Sequence, residues 1–497
     1  MRIALTIFLI CNIIYNINGQ EMLGVINSNY SGIHGISINP SSMVCSKLYM
    51  DYNILSYDMF IDNNYMFIER SDFVKLFYKG VIPVYYTSEN EARDFDIYRD
   101  KDYYYGFQNI RLTGPGGMLV YGKHAFGIFT SFRLNSFFNK LPKDMGIFLY
   151  EAIDFDDQQK IEWDHDKTIR FGSVSWFELD FSYAYNIRRY KWEYWSVGIS
   201  IKPLFGVSGL YSNVYNVDYF VQHDDTAYIN NLDFNYSYSL PVNYDDNSRE
   251  GPLFRGFGFG VDLGITYMYT TKGLSNNHFN RLCDQQYDDY NYKIGLSILD
   301  LGYIKFTKKA EVSSFNETGT NWYRSHDTLP TNSINEINYK LDHYFSDYPG
   351  QSIADDKFVL YTPLAVSLQF DYHLKKFIYL NGTLIYGFGL GDNFVKRPSV
   401  VAFTPRYEKT RWEIAMPLSF VNWDFLDPHI GVAIRYGNFF IGMDKINSFL
   451  GFSDFSEFDF YIGLRLNLSG NLRMDYFKGN CGEYKLHNIE MFDYRNF

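Results

Sequence analysis

Apolar and polar residues alternate strictly through the middle of the chain. Phe257, Phe259, Val261, Leu263, Ile265 and Tyr267 fall on one face, and Gly258, Gly260, Asp262, Gly264 and Thr266 fall on the other. A period of two predicts a β-strand. One face is apolar and aromatic for about eleven residues, long enough for a strand tilted by roughly 45° to cross a hydrocarbon layer. The other face is small and polar. A soluble sandwich strand also alternates, with its apolar face packed on a second sheet, so repetition has to decide between the two.

The pattern recurs along the chain. It appears at Phe126, Ile128, Thr130, Phe132 and Leu134, and again at Phe177, Leu179, Phe181, Tyr183 and Tyr185, where a turn at Arg188 and Arg189 leads back through Val197, Ile199 and Ile201. A more polar strand is expected over 228–240. The last third is clearest. Leu364, Val366, Leu368 and Phe370 alternate with polar residues, and after Lys375 and Lys376 the chain returns through Ile378, Leu380 and Leu384, an antiparallel hairpin. Phe458, Phe460, Ile462, Leu464 and Leu466 predict the closing strand. Helical spacing predicts short helices over 142–154 and 334–344, and 71–107 and 307–360 show no sustained alternation. The expectation is an all-β fold: one antiparallel transmembrane β-barrel of about 14 strands, with 12 to 16 allowed, and short helices in its loops. A sandwich of seven to nine strands is too small for this count.

The compartment agrees with the pattern. Met1-Arg2, an apolar run and Gly19 before Gln20 make a secretory leader over 1–19. Beyond it, nothing approaches the roughly 18 to 20 apolar residues of a membrane helix. Mean hydropathy is −0.25, as expected when lipid-facing and lumen-facing residues dilute one another. Aromatic residues make up 20% of the chain, matching the girdles of a membrane barrel. Residues 20–46 hold turn formers and suit a partial plug, 47–469 the barrel, and 470–497 a periplasmic tail. Phe497 does not end a closing strand, because Arg495 and Asp493 would then face lipid.

Charge and candidate chemistry narrow the function classes. The net charge of −12 excludes a nucleic-acid partner, which needs a basic face. Cys45, Cys283 and Cys481 remain after the leader, an odd number without zinc spacing. The acids between Asp154 and Asp166 lack the ligand order of a calcium loop. Glycines at 256–260 and 387–391 lack a dinucleotide spacing and read as small lumen-facing residues. No catalytic set, cofactor or metal site is expected. Asp262, Gln369, Asp371, His373 and Arg465 lie on inward faces and are the candidate lumen-lining residues.

Two stretches, Gly32-Ile-His-Gly-Ile-Ser-Ile-Asn-Pro-Ser41 and Ile294-Gly-Leu-Ser-Ile-Leu-Asp-Leu-Gly-Tyr-Ile304, resemble the DUF5723 family of Bacteroidota outer-membrane proteins, whose function is unknown. The resemblance implies a Gram-negative outer-membrane barrel and carries over no functional residues. The expected function is a porin-like pore or transporter for a small or amphipathic solute. The alternative is a closed barrel that serves as a scaffold, docking partner proteins through its long loops or its tail. A plug in the lumen would favour the scaffold or a gated route.

Overall fold

The computed structural model describes residues 21–48, 50–121, 123–190, 192–270, 290–323, 332–346 and 350–467. The expected leader with its cleavage point, the tail 470–497, Cys283 and Cys481 lie outside the described residues.

Fourteen antiparallel strands close into one barrel. The first five are β1 (Met50–Asn63), β2 (Tyr103–Tyr121), β3 (His124–Pro142), β4 (Ile169–Tyr190) and β5 (Glu193–His223). Next come β6 (Gly256–Tyr269), β7 (Tyr292–Phe306), β8 (Ala365–Lys375), β9 (Ile378–Gly387) and β10 (Val400–Glu408). β11 is split into Trp412–Ala415 and Leu418–Val421, because Pro417 has no N–H to give to the ladder. β12 (Val432–Tyr436), β13 (Phe439–Met443) and β14 (Glu457–Asn467) complete the wall. β1 pairs back onto β14, Asp51 with Asn467 and Leu55 with Leu464, so the ring of fourteen strands is closed.

Side chains sort by the pleat. On β6, Phe257, Phe259, Leu263 and Ile265 are exposed on the outer face, while Gly258, Gly260, Asp262 and Thr266 are buried inside. The same division runs through β7 and β8, where Leu296, Ile298, Leu368 and Phe370 face outward. An apolar outer face around a polar interior is what a barrel needs in lipid. Two-residue turns join β8 to β9 and β12 to β13, at the end where β1 begins and β14 stops. The long connections gather at the opposite end, the loop side.

Three expectations are corrected. The turn after β4 comes later than Arg188 and Arg189, because pairing with β5 continues to Tyr190 opposite Glu193. The polar strand at 228–240 is a strand, Thr226–Ser239, but it is not part of the ring. It pairs with the upper half of β5, from Gly209–Ser239 to His223–Thr226. Glu311–Tyr323, within an interval expected to lack strands, pairs along its other side. Together they form a spur above the loop-side end of the barrel. The helix Ile334–Phe345 leans on the spur through Phe345, Phe315 and Phe234, and Ser333 and Glu336 form a capping box at its start. The other expected helix forms over Lys143–Glu151.

Candidate functional site

The barrel interior is occupied by the chain's own N-terminal segment. Every residue from 21 to 48 is buried or half-buried. Its glycines, serines and Asn39-Pro40 disfavour a long helix, so it folds as one helical turn, Leu23–Ile26, and two tight turns, Gly32–Gly35 and Pro40–Cys45. Short turns leave backbone N–H and C=O groups without partners, and such groups are costly where water is excluded. The wall supplies the partners. Asp444 accepts from Leu23 N–H at 2.7 Å, and Asp51 accepts from Ile33 N–H at 3.0 Å. Arg465 donates to the Ser31 carbonyl at 2.6 Å, and Tyr194 to that of Val44 at 2.9 Å. Side chains add further ties, Ser28 to Glu413 at 2.7 Å and Asn39 to Gln369 at 3.0 Å. The wall therefore holds the plug through its backbone and its side chains alike.

Two glycines make the close approach possible. Gly32 has φ +61 and sits so close to the Asp51 carboxylate that a Cβ would collide with it. Gly264 of β6 faces Asn39, whose side chain caps the Pro40–Cys45 turn by accepting from Ser41 N–H. Gly264→Val is therefore expected to unseat this turn, with an overpacking cost of about 1–3 kcal/mol. Faster proteolysis within 21–48 in the folded barrel would be the readout. Unchanged cleavage would mean that the turn does not depend on this seat.

Two charge clusters span the lumen around the plug. In the first, Asp300 occupies a bulge where β7 slips against β6, from Val261–Leu301 to Leu263–Ile298, with φ +54. The Arg133 guanidinium forks onto both Asp300 oxygens at 2.7 and 2.8 Å. Lys202 bridges Asp262 at 2.5 Å and Asp300 at 3.1 Å. Arg397 Nη1 is 3.6 Å from Asp300, and its other terminal nitrogen pairs with Glu21 of the plug. In the second cluster, Asp371 accepts from Arg406 and from the Tyr290 hydroxyl, both at 2.6 Å. Arg406 also meets Glu408 at 3.1 Å, and Lys47 of the plug reaches Glu408 at 3.3 Å.

These contacts place the five candidate residues. Asp262, Asp371 and Arg465 are 0% exposed and Gln369 is 6% exposed, so they point inward, into the lumen that the plug occupies. His373 is separate. It sits at the turn-side rim, stacked on Tyr379 at 4.6 Å, with Nε2 2.9 Å from the Lys376 carbonyl oxygen. The balancing cations Arg133, Lys202 and Arg406 were not among the candidates. Their signal was present: Arg133 follows Phe132 on the inward face of a clearly alternating strand, and Lys202 follows Ile201.

Above the ion pairs the interior is apolar. Phe107, Phe137, Trp176, Phe306, Phe358 and Leu360 line the loop-side half and belong to one apolar cluster with Leu23, Val25 and Ile26 of the plug. Loop 388–399 folds into this mouth. Phe394 stacks 6.0 Å from Phe137, Val395 is fully buried, and Asn393 accepts from Tyr361 N–H at 2.9 Å. The glycines at 387–391 thus lie at the end of β9 and in this loop, with Gly389 beneath the Phe394 ring, and do not continue an alternating strand. Between plug and wall a cavity of about 30 Å³ is lined by Asn29, Asn39, Thr266, Lys293 and Gln369, enough for about one water.

Residues 40–444 match the family model described as "Family of unknown function (DUF5723)". The chain belongs to the DUF5723 family. No curated protein matches this family member by sequence. Among solved structures it is similar to a TodX deltaS2S3 mutant monoaromatic hydrocarbon channel, at 8% identity and a TM-score of 0.42, over 91% of this chain and 98% of that one. It is also similar to the Ralstonia pickettii toluene transporter TbuX, at 9% identity and a TM-score of 0.40, over 91% and 99% of the two chains. A Pseudomonas aeruginosa FadL homologue matches at 8% identity and a TM-score of 0.23, over 91% and 99%. At these identities and scores, no solute carries over from those proteins to this DUF5723 barrel.

Proposed function

We propose that this protein is a gated outer-membrane transporter for a small apolar or amphipathic solute, closed at rest by residues 21–48. The observation that carries the reading is the layered interior. An aromatic layer under loop 388–399 suits an apolar solute arriving from the loop side, because such pockets are mostly apolar with a few polar groups that orient the ligand. Beneath it lies a plug tied by polar contacts that water or a solute can replace one at a time.

Vesicles carrying the folded protein test this by uptake of a small aromatic fluorescent probe. Uptake above that of protein-free vesicles is expected, and Phe394→Asp, which sets a charge in the aromatic layer, is expected to abolish it while the barrel stays folded. Uptake equal to that of empty vesicles would refute transport of this class. The scaffold remains as a second reading. It is favoured by an apolar stretch on the loop side, where Phe77, Tyr78, Val81, Ile82 and Tyr86 are exposed, since contiguous patches of this kind mark interaction surfaces.

A further inference from the structure

At the loop-side rim, three side chains distant in sequence come together. Asp62 at the upper end of β1, His429 just before β12 and Glu457 at the head of β14 present ligating atoms within 4.8 Å of one another. Each is at most 5% exposed. Two of their atoms have no hydrogen bond, Asp62 Oδ2 and His429 Nδ1. The imidazole nitrogen is aimed into the cluster, 2.8 Å from Glu457 Oε1. The only cation from Lys or Arg recorded against the two carboxylates among the described residues is Lys445. Its ammonium is 2.9 Å from Asp62 and also contacts Glu457, and lies 4.9 Å from the centre of the Phe60 ring. Two carboxylates facing one ammonium and a neutral imidazole, the form that binds a metal, leave a negative charge over.

We propose that Asp62, His429 and Glu457 form a binding site for a divalent transition-metal ion of the zinc class, with the Lys445 ammonium as a resident that the ion displaces. One imidazole nitrogen and two carboxylates are ligands that zinc accepts, and three protein ligands leave a fourth position open. A doubly charged ion balances both carboxylates where the ammonium balances one. Lysine suits the part of resident because it is a point charge on a flexible stem that can swing aside. No metal was expected from the sequence, since the three ligands come from widely separated stretches and only the closure of β14 onto β1 unites them.

The test is calorimetric titration of the folded, chelator-stripped protein with Zn²⁺ alone. One ion per chain is expected to bind the native protein. Lys445→Met, which removes the competing charge, is expected to tighten binding by roughly tenfold or more. His429→Ala is expected to abolish it, and with it the visible absorption of Co²⁺ bound in place of Zn²⁺. Heat-modifiable migration in gels checks that each variant is folded. Should His429→Ala be unfolded, the native protein and Lys445→Met decide between them. No saturable binding to the native protein overturns the proposal, even if Lys445→Met binds, and so does binding that a folded His429→Ala leaves unchanged.

Discussion

Deleting residues 21–48 is expected to convert a silent barrel into a conducting one. In the intact protein the plug fills the centre of the lumen, its apolar turn part of one cluster with Phe137 and Trp176 and its backbone held by Asp51, Asp444 and Arg465. The cavity between it and the wall beside Asn39 and Gln369 holds about 30 Å³. Fourteen strands give a wall between the eight-stranded barrels that side chains alone can fill and the 16- to 18-stranded porins that hold water. With the segment gone, the freed charges face one another across solvent and the aromatic layer loses its central packing. Planar bilayers should show no steps with the intact protein and stepwise currents with the deletion variant. Asp371→Asn in that variant should shift selectivity away from cations, because it leaves Arg406 less compensated. A deletion variant that folds and stays silent would show that some other element closes the lumen.

Asp300→Ala is expected to be the most damaging single substitution in the wall, at about 3–5 kcal/mol, the range for breaking a buried pair by removing one partner. Arg133 would lose both of its short bonds and Lys202 one of three carboxylates. Alanine also tolerates the left-handed backbone at this bulge less well than aspartate. Urea unfolding followed by tryptophan fluorescence measures the loss, with Trp176 close at hand because the Arg133 guanidinium lies 4.8 Å from its ring centre. The paired variant Asp300→Ala with Arg133→Met should recover a good part of the stability, since no cation is then stranded beside Trp176. A loss below about 1 kcal/mol would place Asp300 among ordinary surface pairs.

Strands that separate a lipid face from a lumen face were legible in the sequence. β6, β8, β9 and β14 stand where the alternation of Phe259, Leu368, Leu384 and Leu464 puts them. The spur was not legible as a spur. Thr226–Ser239 mixes tyrosine with asparagine on partly covered faces, and neither face is simple enough to show whether lipid or another strand covers it. Glu311–Tyr323 is rich in serine, asparagine and threonine and finds its place only by pairing with its neighbour. At the site, inward positions such as Asp262 and Asp371 could be read from the period of two. What each charge meets could not, because Leu23 and Asp444 are 421 residues apart in the chain and touch only once the ring has closed.

β5 is 31 residues long, and only its first part, from Glu193 to Gly206, is matched by β6. At about 3.3 Å per residue, what continues beyond amounts to roughly 50 Å of strand, stiffened by Thr226–Ser239 and Glu311–Tyr323 at its side. A large particle approaching from the loop side meets this blade before it meets the lumen, beginning with the tyrosine- and aspartate-rich tip around residues 215–230. None of the ties between wall and plug described above involves that tip, so its side chains can be exchanged without loosening the segment that fills the lumen.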